Sequence, residues 1–419
     1  MMLPALYAAT ATLAAPGLRA MLARRAARGK EIRARLNERR GIDAAPRPAG
    51  KLMWLHAASV GETVSMLPVL PHLDAPVLVT TGTVTSANLL ARRLPELGLA
   101  DRVMHRFVPL DVPAWVARFL THWRPDAAAF VESEIWPNLL AGCATRRVPL
   151  MLVNARLSAH SFSRWKFVPG LARHLFGSFA IVQAQSEADG ARVHALGGPC
   201  SALTGNLKFS AGPLPVDAVE LERLERIIDG RPTWLAASTH PSEEPIVLAV
   251  HALLAPRHPD LVTIIVPRHP ERGPAISAQA GAIAATRRSR GDGPPSGAGV
   301  WIADTLGELG LFYRLAGTAF VGKSLGNARG GQNVLEPARL GCAIAAGPEV
   351  QNFADPVAVL QAAGALACVS NTDTLAQWVE AMLADPARRA AMAEAGIAAS
   401  SRFADLPRQV AELLTSLLH

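Results

Sequence analysis

Cysteine is scarce in this chain: four in 419 residues (Cys143, Cys200, Cys342 and Cys368), scattered and without metal-ligand spacing. That excludes a disulfide-built scaffold and fits a reduced, cytoplasmic-facing environment better. There is no H-E-x-x-H and no G-x-G-x-x-G, which argues against zincins and ordinary NAD enzymes. P-loop NTPase and α/β-hydrolase chemistry are not expected either. No D-x-D-type acidic pair or His/Cys cluster offers a convincing ligand set, so no metal is expected. A disorder signature is also absent, since half the chain is apolar and only 18% is charged.

Charge is missing from Met1 to Leu18, and a basic cluster follows directly. From Arg19 to Arg40 nine basic residues stand against Glu31 and Glu38, a net of +7 in a chain whose total is +8. The high pI is therefore local and gives no sign of a nucleic-acid-binding body. Eighteen residues is the lower edge of a bilayer span, and Pro4 and Pro16 weaken it. No Lys or Arg precedes the apolar run, which argues against a removed signal peptide. Three readings stay open: a short anchor with its basic side in the cytoplasm, a helix lying on an anionic leaflet, or a surface helix of the domain.

The length favours two domains. After a Pro-containing linker (Ala44 to Gly50), apolar runs alternate with helical stretches. The expected buried strands are Leu52–His56, Val77–Thr80, Ala127–Val131, Leu150–Val153, Ala180–Gln183 and Ala202–Thr204. Gly212 to Pro215 reads as an interdomain linker. The alternation restarts with Thr233–Ala237, Val262–Val266, Val300–Ile302, Ala319–Val321 and Ala343–Ala346. From about Pro386 the chain reads as helical. The predicted architecture is α/β: a segment 1–40, then Rossmann-like domains over 41–211 and 212–419 facing a cleft, with ligands beyond the carboxyl ends of the strands.

The motifs fall at those strand ends. Gly330-Gly331-Gln332-Asn333-Val334-Leu335-Glu336-Pro337 reads as a two-glycine turn and a helix start with Pro337 at its first position. Free N–H groups there would suit an anion, and Glu336 beside them would suit a ribose. An ordinary glycine turn is the competing reading. Ser59-Val60-Gly61-Glu62 fits a capping box, or a general base on a cleft wall. Glu132-Ser133-Glu134 ends a buried strand, as a functional pair or as acids favoured by a helix dipole. Lys208, after Gly205-Asn206-Leu207, reaches an anion or lies in solvent. Pro267-Arg268-His269-Pro270 fixes Arg268 to grip a phosphate, and Ser238-Thr239-His240 supplies further hydroxyl donors. Arg156 to Arg173 mixes basic and aromatic residues, suiting an acidic amphiphile or forming a solvated loop.

Taken in order, these motifs resemble the 3-deoxy-D-manno-octulosonic acid (Kdo) transferases of lipopolysaccharide synthesis. The similarity runs from Leu6 to beyond Phe353 and includes Asn154-Ala155-Arg156-Leu157-Ser158 and Leu306-Gly307-Glu308. It implies a B-type glycosyltransferase fold, CMP-Kdo as donor, a lipid A precursor as acceptor, and no cofactor beyond the donor. By the resemblance, Glu62 is the proton acceptor, and Glu132 and Lys208 are transition-state stabilisers. Pro267, Arg268, Leu306, Gly307, Glu308, Asn333, Val334, Leu335 and Glu336 hold the CMP moiety. It further implies work at the cytoplasmic side of the inner membrane. The sequence departs from the family pattern at Gln332 (usually His), Val334 (usually Pro), Ser133 (usually Thr) and Lys323 (usually Gly). Another B-type transferase using a UDP-sugar, or a binding module without turnover, are the alternatives.

Overall fold

The computed structural model describes residues 2–210 and 212–419. Met1 and Ala211, which end two of the expected segments, lie outside the described residues. The chain divides into two compact units, residues 1–211 with 403–419, and residues 212–402.

The first unit is built on a seven-stranded parallel sheet. Its strands are β1 (Met53–Ala57), β2 (Val77–Thr81), β3 (Val103–Phe107), β4 (Ala127–Val131), β5 (Leu150–Ala155), β6 (Ile181–Ala184) and β7 (Ser201–Thr204), in the order β3-β2-β1-β4-β5-β6-β7. Both faces are covered, so the strands are apolar on both sides. The period of two divides their side chains between two cores. Trp54, Ala128, Phe130, Leu150 and Leu152 enter one. Met53, Leu55, Ala127, Ala129, Met151 and Val153 enter the other.

The helices of this unit begin with α1 (Met2–Ala27), α2 (Val60–Met66), α3 (Val84–Glu96), α4 (Pro113–Trp123) and α5 (Pro137–Thr145). Near its C-terminal end α1 buries Leu22 against Val112 and Trp115, with Ala15 and Leu18 beside them. Further toward its start it leaves Leu6 61% and Leu13 81% exposed. Among the described residues no helix is long and apolar enough to cross a membrane. The basic cluster is partly spent inside the fold. Arg39, 3% exposed, binds Glu31 and the carbonyls of Thr81, Val108 and Gly82. Arg25 also binds Glu31, and Arg35 binds Glu38.

The second unit repeats the plan with β8 (Thr233–Thr239), β9 (Val262–Pro267), β10 (Ala285–Arg287), β11 (Gly299–Ile302), β12 (Thr318–Val321), β13 (Ala343–Ala346) and β14 (Leu366–Cys368). Their order is β10-β11-β9-β8-β12-β13-β14, again all parallel. In each unit a tryptophan on the first strand donates its indole N–H to a threonine on the next: Trp54 to Thr80 and Trp234 to Thr263, both 2.8 Å. Each sheet changes winding direction once, between β1 and β4 and between β8 and β12, where ligands of open α/β sheets bind.

Three expectations need correction. Residues 403–419 do not belong to the second unit. Leu406, Val410, Ala411, Leu414 and Leu418 pack into the core of the first, beside Leu67, Leu70, Leu73 and Leu207. Strands β3, β10 and β14 were not anticipated. All three are sheet edges, and β3 places His105 and Arg106 at half-buried positions where a central strand would be apolar. Pro337 is not the first helical residue, because that helix spans Leu335–Arg339. It still lies in the first turn, where its missing N–H costs little.

Candidate functional site

In the first unit four loops leave the carboxyl ends of β1, β4, β5 and β7. Ser59 caps α2 by accepting a hydrogen bond from the Glu62 backbone N–H at 3.3 Å. The Glu62 carboxylate turns back, accepting from the Ala58 N–H at 2.7 Å and from the Ser59 hydroxyl at 2.6 Å. Ser59 is therefore the N-cap, but the expected box is not closed: the carboxylate takes the Ala58 N–H and the Ser59 hydroxyl instead of the Ser59 N–H, with both oxygens engaged. Glu62 is 8% exposed. Burial pushes its pKa above that of an ordinary glutamate, the Ser59 and Ala58 bonds oppose the shift, and Glu134 and Glu132 reinforce it.

The two acids after β4 go separate ways. Glu132 takes a left-handed backbone (φ 57°) and pairs with the Lys208 ammonium at 2.6 Å. Glu134 accepts from the Trp136 indole N–H at 2.5 Å and faces His56 Nε2 at 3.6 Å. Neither acid lies in the first turn of α5, which begins at Pro137. The helix-dipole reading thus gives way to two side-chain pairs. Burial works to raise the Glu134 pKa, but the His56 and Trp136 contacts outweigh it and hold the carboxyl below the ordinary value. Lys208 is placed by Asn154, buried with φ 52°, whose side-chain oxygen accepts from the Leu207 N–H at 3.0 Å. Gln183 binds the Asn154 N–H and the Gly205 carbonyl, joining the same strand ends.

Two cavities open at this end of the sheet. One of about 420 Å³ is lined by Glu132, Ser133, Arg156, Ser158, Ser161 and Trp165, among others. The other, about 300 Å³, has His56, Ala58, Glu134 and Trp136 on one side and Met21 and Leu22 of α1 on another. The basic-aromatic stretch forms α6 (Ala159–Trp165) and α7 (Pro169–Phe176), with Phe167 85% exposed between them.

In the second unit, Glu243 organises the loops after β8 and β12. It is fully buried and accepts from the backbone N–H groups of His240, Lys323, Ser324 and Leu325 at 2.8 to 3.0 Å. Sequence reasoning passed over it; an acid four residues past the end of β8 was the available signal. Arg268 follows β9, is exposed, and has its backbone N–H bonded to the Thr239 carbonyl. Burial lowers the His240 pKa, and the positive charges of Lys323, His269 and Arg268 lower it further. Lys323, His269 and Arg268 thus gather around His240 at the ends of β8, β9 and β12, with Glu244 opposing them.

Gly330 and Gly331 have φ of 105° and 73°, and a side chain at Gly330 would strike Asn352. The turn is tied down by the Gly331 N–H to the Lys323 carbonyl at 2.8 Å. Lys323 itself has φ 59°, a conformation that favours glycine. Asn333 accepts from the Leu335 N–H and donates to Glu336 at 3.2 Å. Burial raises the Glu336 pKa. Val334 and Leu335 are fully buried, and the Leu335 N–H is taken by the Asn333 side chain. After β11, Leu306 is 80% exposed and Gly307 has φ 86°. The Glu308 carboxylate is occupied by Arg288 and Thr305, and the Arg288 bond keeps its pKa low.

Two short patterns overlap after β12, and their dismissal rests on the structure. Gly317 to Ser324 spells G-x-x-x-x-G-K-S, and Gly322 to Gly326 spells G-x-S-x-G. The first has strand β12 where a phosphate loop would lie. In the second, Ser324 is buried, donates to the Val321 carbonyl and accepts from the Gly347 N–H, so its hydroxyl is no exposed nucleophile. Among the described residues, no group of three or more His, Cys, Asp or Glu could hold a metal ion.

The family model for 3-deoxy-D-manno-octulosonic-acid transferase (kdotransferase) matches residues 34–211. A probable mitochondrial 3-deoxy-D-manno-octulosonic acid transferase of Arabidopsis thaliana is 35% identical over 376 residues, 86% of this chain and 83% of that protein. The chain belongs to the Kdo transferase family. The transferase of Bordetella pertussis is 34% identical, covering 89% of each chain. Among solved structures, a glycosyltransferase of Rickettsia africae aligns with a TM-score of 0.57 at 13% identity, covering 88% of this chain and 99% of that one. That likeness shows the fold alone, a B-type glycosyltransferase of two parallel-sheet α/β domains. Membership makes the protein an enzyme, a glycosyltransferase.

Proposed function

We propose that the protein transfers Kdo from CMP-Kdo to a lipid A precursor such as lipid IVA in lipopolysaccharide biosynthesis, with inversion and without a metal. The observation that carries this reading is the Glu62 carboxylate at the end of β1. It is buried, raised in pKa and fixed by Ala58 and Ser59, in a chain of this family. A carboxylate raised toward neutrality is a better proton acceptor than an ordinary one.

Glu62 takes the proton of an acceptor hydroxyl. The hydroxyl oxygen forms its bond to the Kdo anomeric carbon as the bond from that carbon to the CMP phosphate oxygen breaks, and CMP leaves with the electron pair. Arg268 meets the charge on the leaving phosphate. Glu132 and Lys208 stabilise the transition state. Pro267 and the backbone of Leu306, Gly307 and Glu308, with Asn333, Val334, Leu335 and Glu336, hold the nucleotide, Glu336 taking the ribose hydroxyls. The exposed apolar start of α1, with the solvent-facing basic residues after it, attaches the enzyme to the cytoplasmic face of the inner membrane.

Nucleotide release with lipid acceptor tests the donor and the metal together. CMP-Kdo should turn over in EDTA while UDP-sugars do not. Turnover with a UDP-sugar instead, or loss in EDTA with recovery on magnesium, contradicts the proposal.

A further inference from the structure

We propose that Glu134, clamped by His56 and Trp136, is a positioning residue that acts on Glu62 through its negative charge and keeps Glu62 a stronger base. The inference rests on the reading of Glu62 as the base.

The sheet brings Glu134 to the end of β1, the strand that Glu62 follows. His56 pairs in register with Phe130 of β4, and their rings lie 5.7 Å apart. Beyond β4 the chain doubles back through the Glu134 N–H to Val131 carbonyl and Ile135 N–H to Ser133 carbonyl bonds. This returns Glu134 over the end of β1. There it meets His56 Nε2, while His56 Nδ1 is anchored at Thr80, 3.0 Å from its hydroxyl and 3.2 Å from its carbonyl. His56, Ala58 and Glu134 line the same 300 Å³ cavity, and the Ala58 N–H is the group bonded to Glu62.

The other charges around α2 do not replace this effect. The turn Leu207–Phe209, packed on α2, brings Lys208, which is committed to Glu132 at 2.6 Å. Helix α3 carries Arg92, Arg93 and Glu96 in its C-terminal half, with Arg93 bound to Glu96. On β1 the one titratable group is His56. Glu134 is the largest charged contributor to the raised Glu62 pKa, ahead of Glu132. A like charge disfavours ionisation of its neighbour and so strengthens it as a base.

The test is the pH profile of kcat/KM for Glu134→Gln and Glu134→Asp. Glutamine keeps the shape and the Trp136 bond but removes the charge, whereas aspartate keeps the charge. The acid limb of Glu134→Gln should move toward acid by on the order of half to one pH unit, and Glu134→Asp should stay near wild type. Trp136→Phe, at a ring 42% exposed, is a second probe should Glu134→Gln fail to fold. Without the indole donor Glu134 protonates more readily, and the limb should move the same way by less. An inactive Glu62→Gln alongside an unshifted limb in these variants overturns the role of Glu134 alone. Normal turnover in Glu62→Gln overturns the base itself.

Discussion

Replacing Glu62 by glutamine separates its two roles. The carboxylate accepts from the Ala58 N–H through one oxygen and from the Ser59 hydroxyl through the other. A glutamine can direct its carbonyl to Ala58 and its NH₂ to the Ser59 oxygen, since a hydroxyl both donates and accepts. The cap then survives, and its loss, which costs about 0.5 to 2 kcal/mol, is avoided. What disappears is the proton acceptor. General-base assistance typically contributes about 10²- to 10⁴-fold, so kcat should fall by that factor with Tm and CMP affinity unchanged. Wild-type kcat/KM should fall on the acid side around a pKa above the 4.5 of an ordinary glutamate, because burial raises this group and only its ionised form accepts a proton. Steady-state turnover with CMP-Kdo and lipid acceptor across pH measures both. Near-normal kcat in Glu62→Gln would leave Glu62 a cap and nothing more.

Arg268→Ala and Glu336→Ala should each weaken CMP binding by roughly ten- to hundred-fold, since a charge-assisted hydrogen bond is worth about 1.5 to 3 kcal/mol; calorimetry showing unchanged affinity in both would refute the donor placement. Lys323→Gly should raise Tm by a few degrees, because relief of a left-handed non-glycine residue is worth about 1 to 2 kcal/mol before glycine's own entropy is subtracted; a lowered Tm contradicts this. Leu6→Gln with Leu13→Gln should cut binding to anionic vesicles while leaving the fold intact, as both side chains are mostly exposed; undiminished flotation would move the attachment to the region of Phe167 and its basic neighbours.

The central strands were legible because a parallel sheet covered on both faces demands unbroken apolar runs, as in Ala127–Val131 and Ala343–Ala346. Edge strands escape that demand, and β3, β10 and β14 were missed for that reason. The home of residues 403–419 was not readable either. Their apolar face at helical spacing says that Leu406, Val410 and Leu414 are buried, but not against which core. At the site, the S-x-x-E spacing announced the Ser59–Glu62 cap, yet spacing is blind to partners distant in sequence. The Lys208–Glu132 and His56–Glu134 pairs span 76 and 78 positions, and only the β1–β4 and β5–β7 geometry closes them. Lys323 shows the reverse: a departure from the family's glycine that is visible in the sequence falls on a left-handed backbone.

The most direct test of the account is mass spectrometry of the product made by the purified enzyme from CMP-Kdo and lipid IVA, with the Glu62→Gln variant beside it. The account predicts lipid IVA heavier by one or more Kdo residues with the wild type and nearly none with the variant. Unmodified lipid IVA with a folded wild type that binds CMP, or equal product from both, would contradict it.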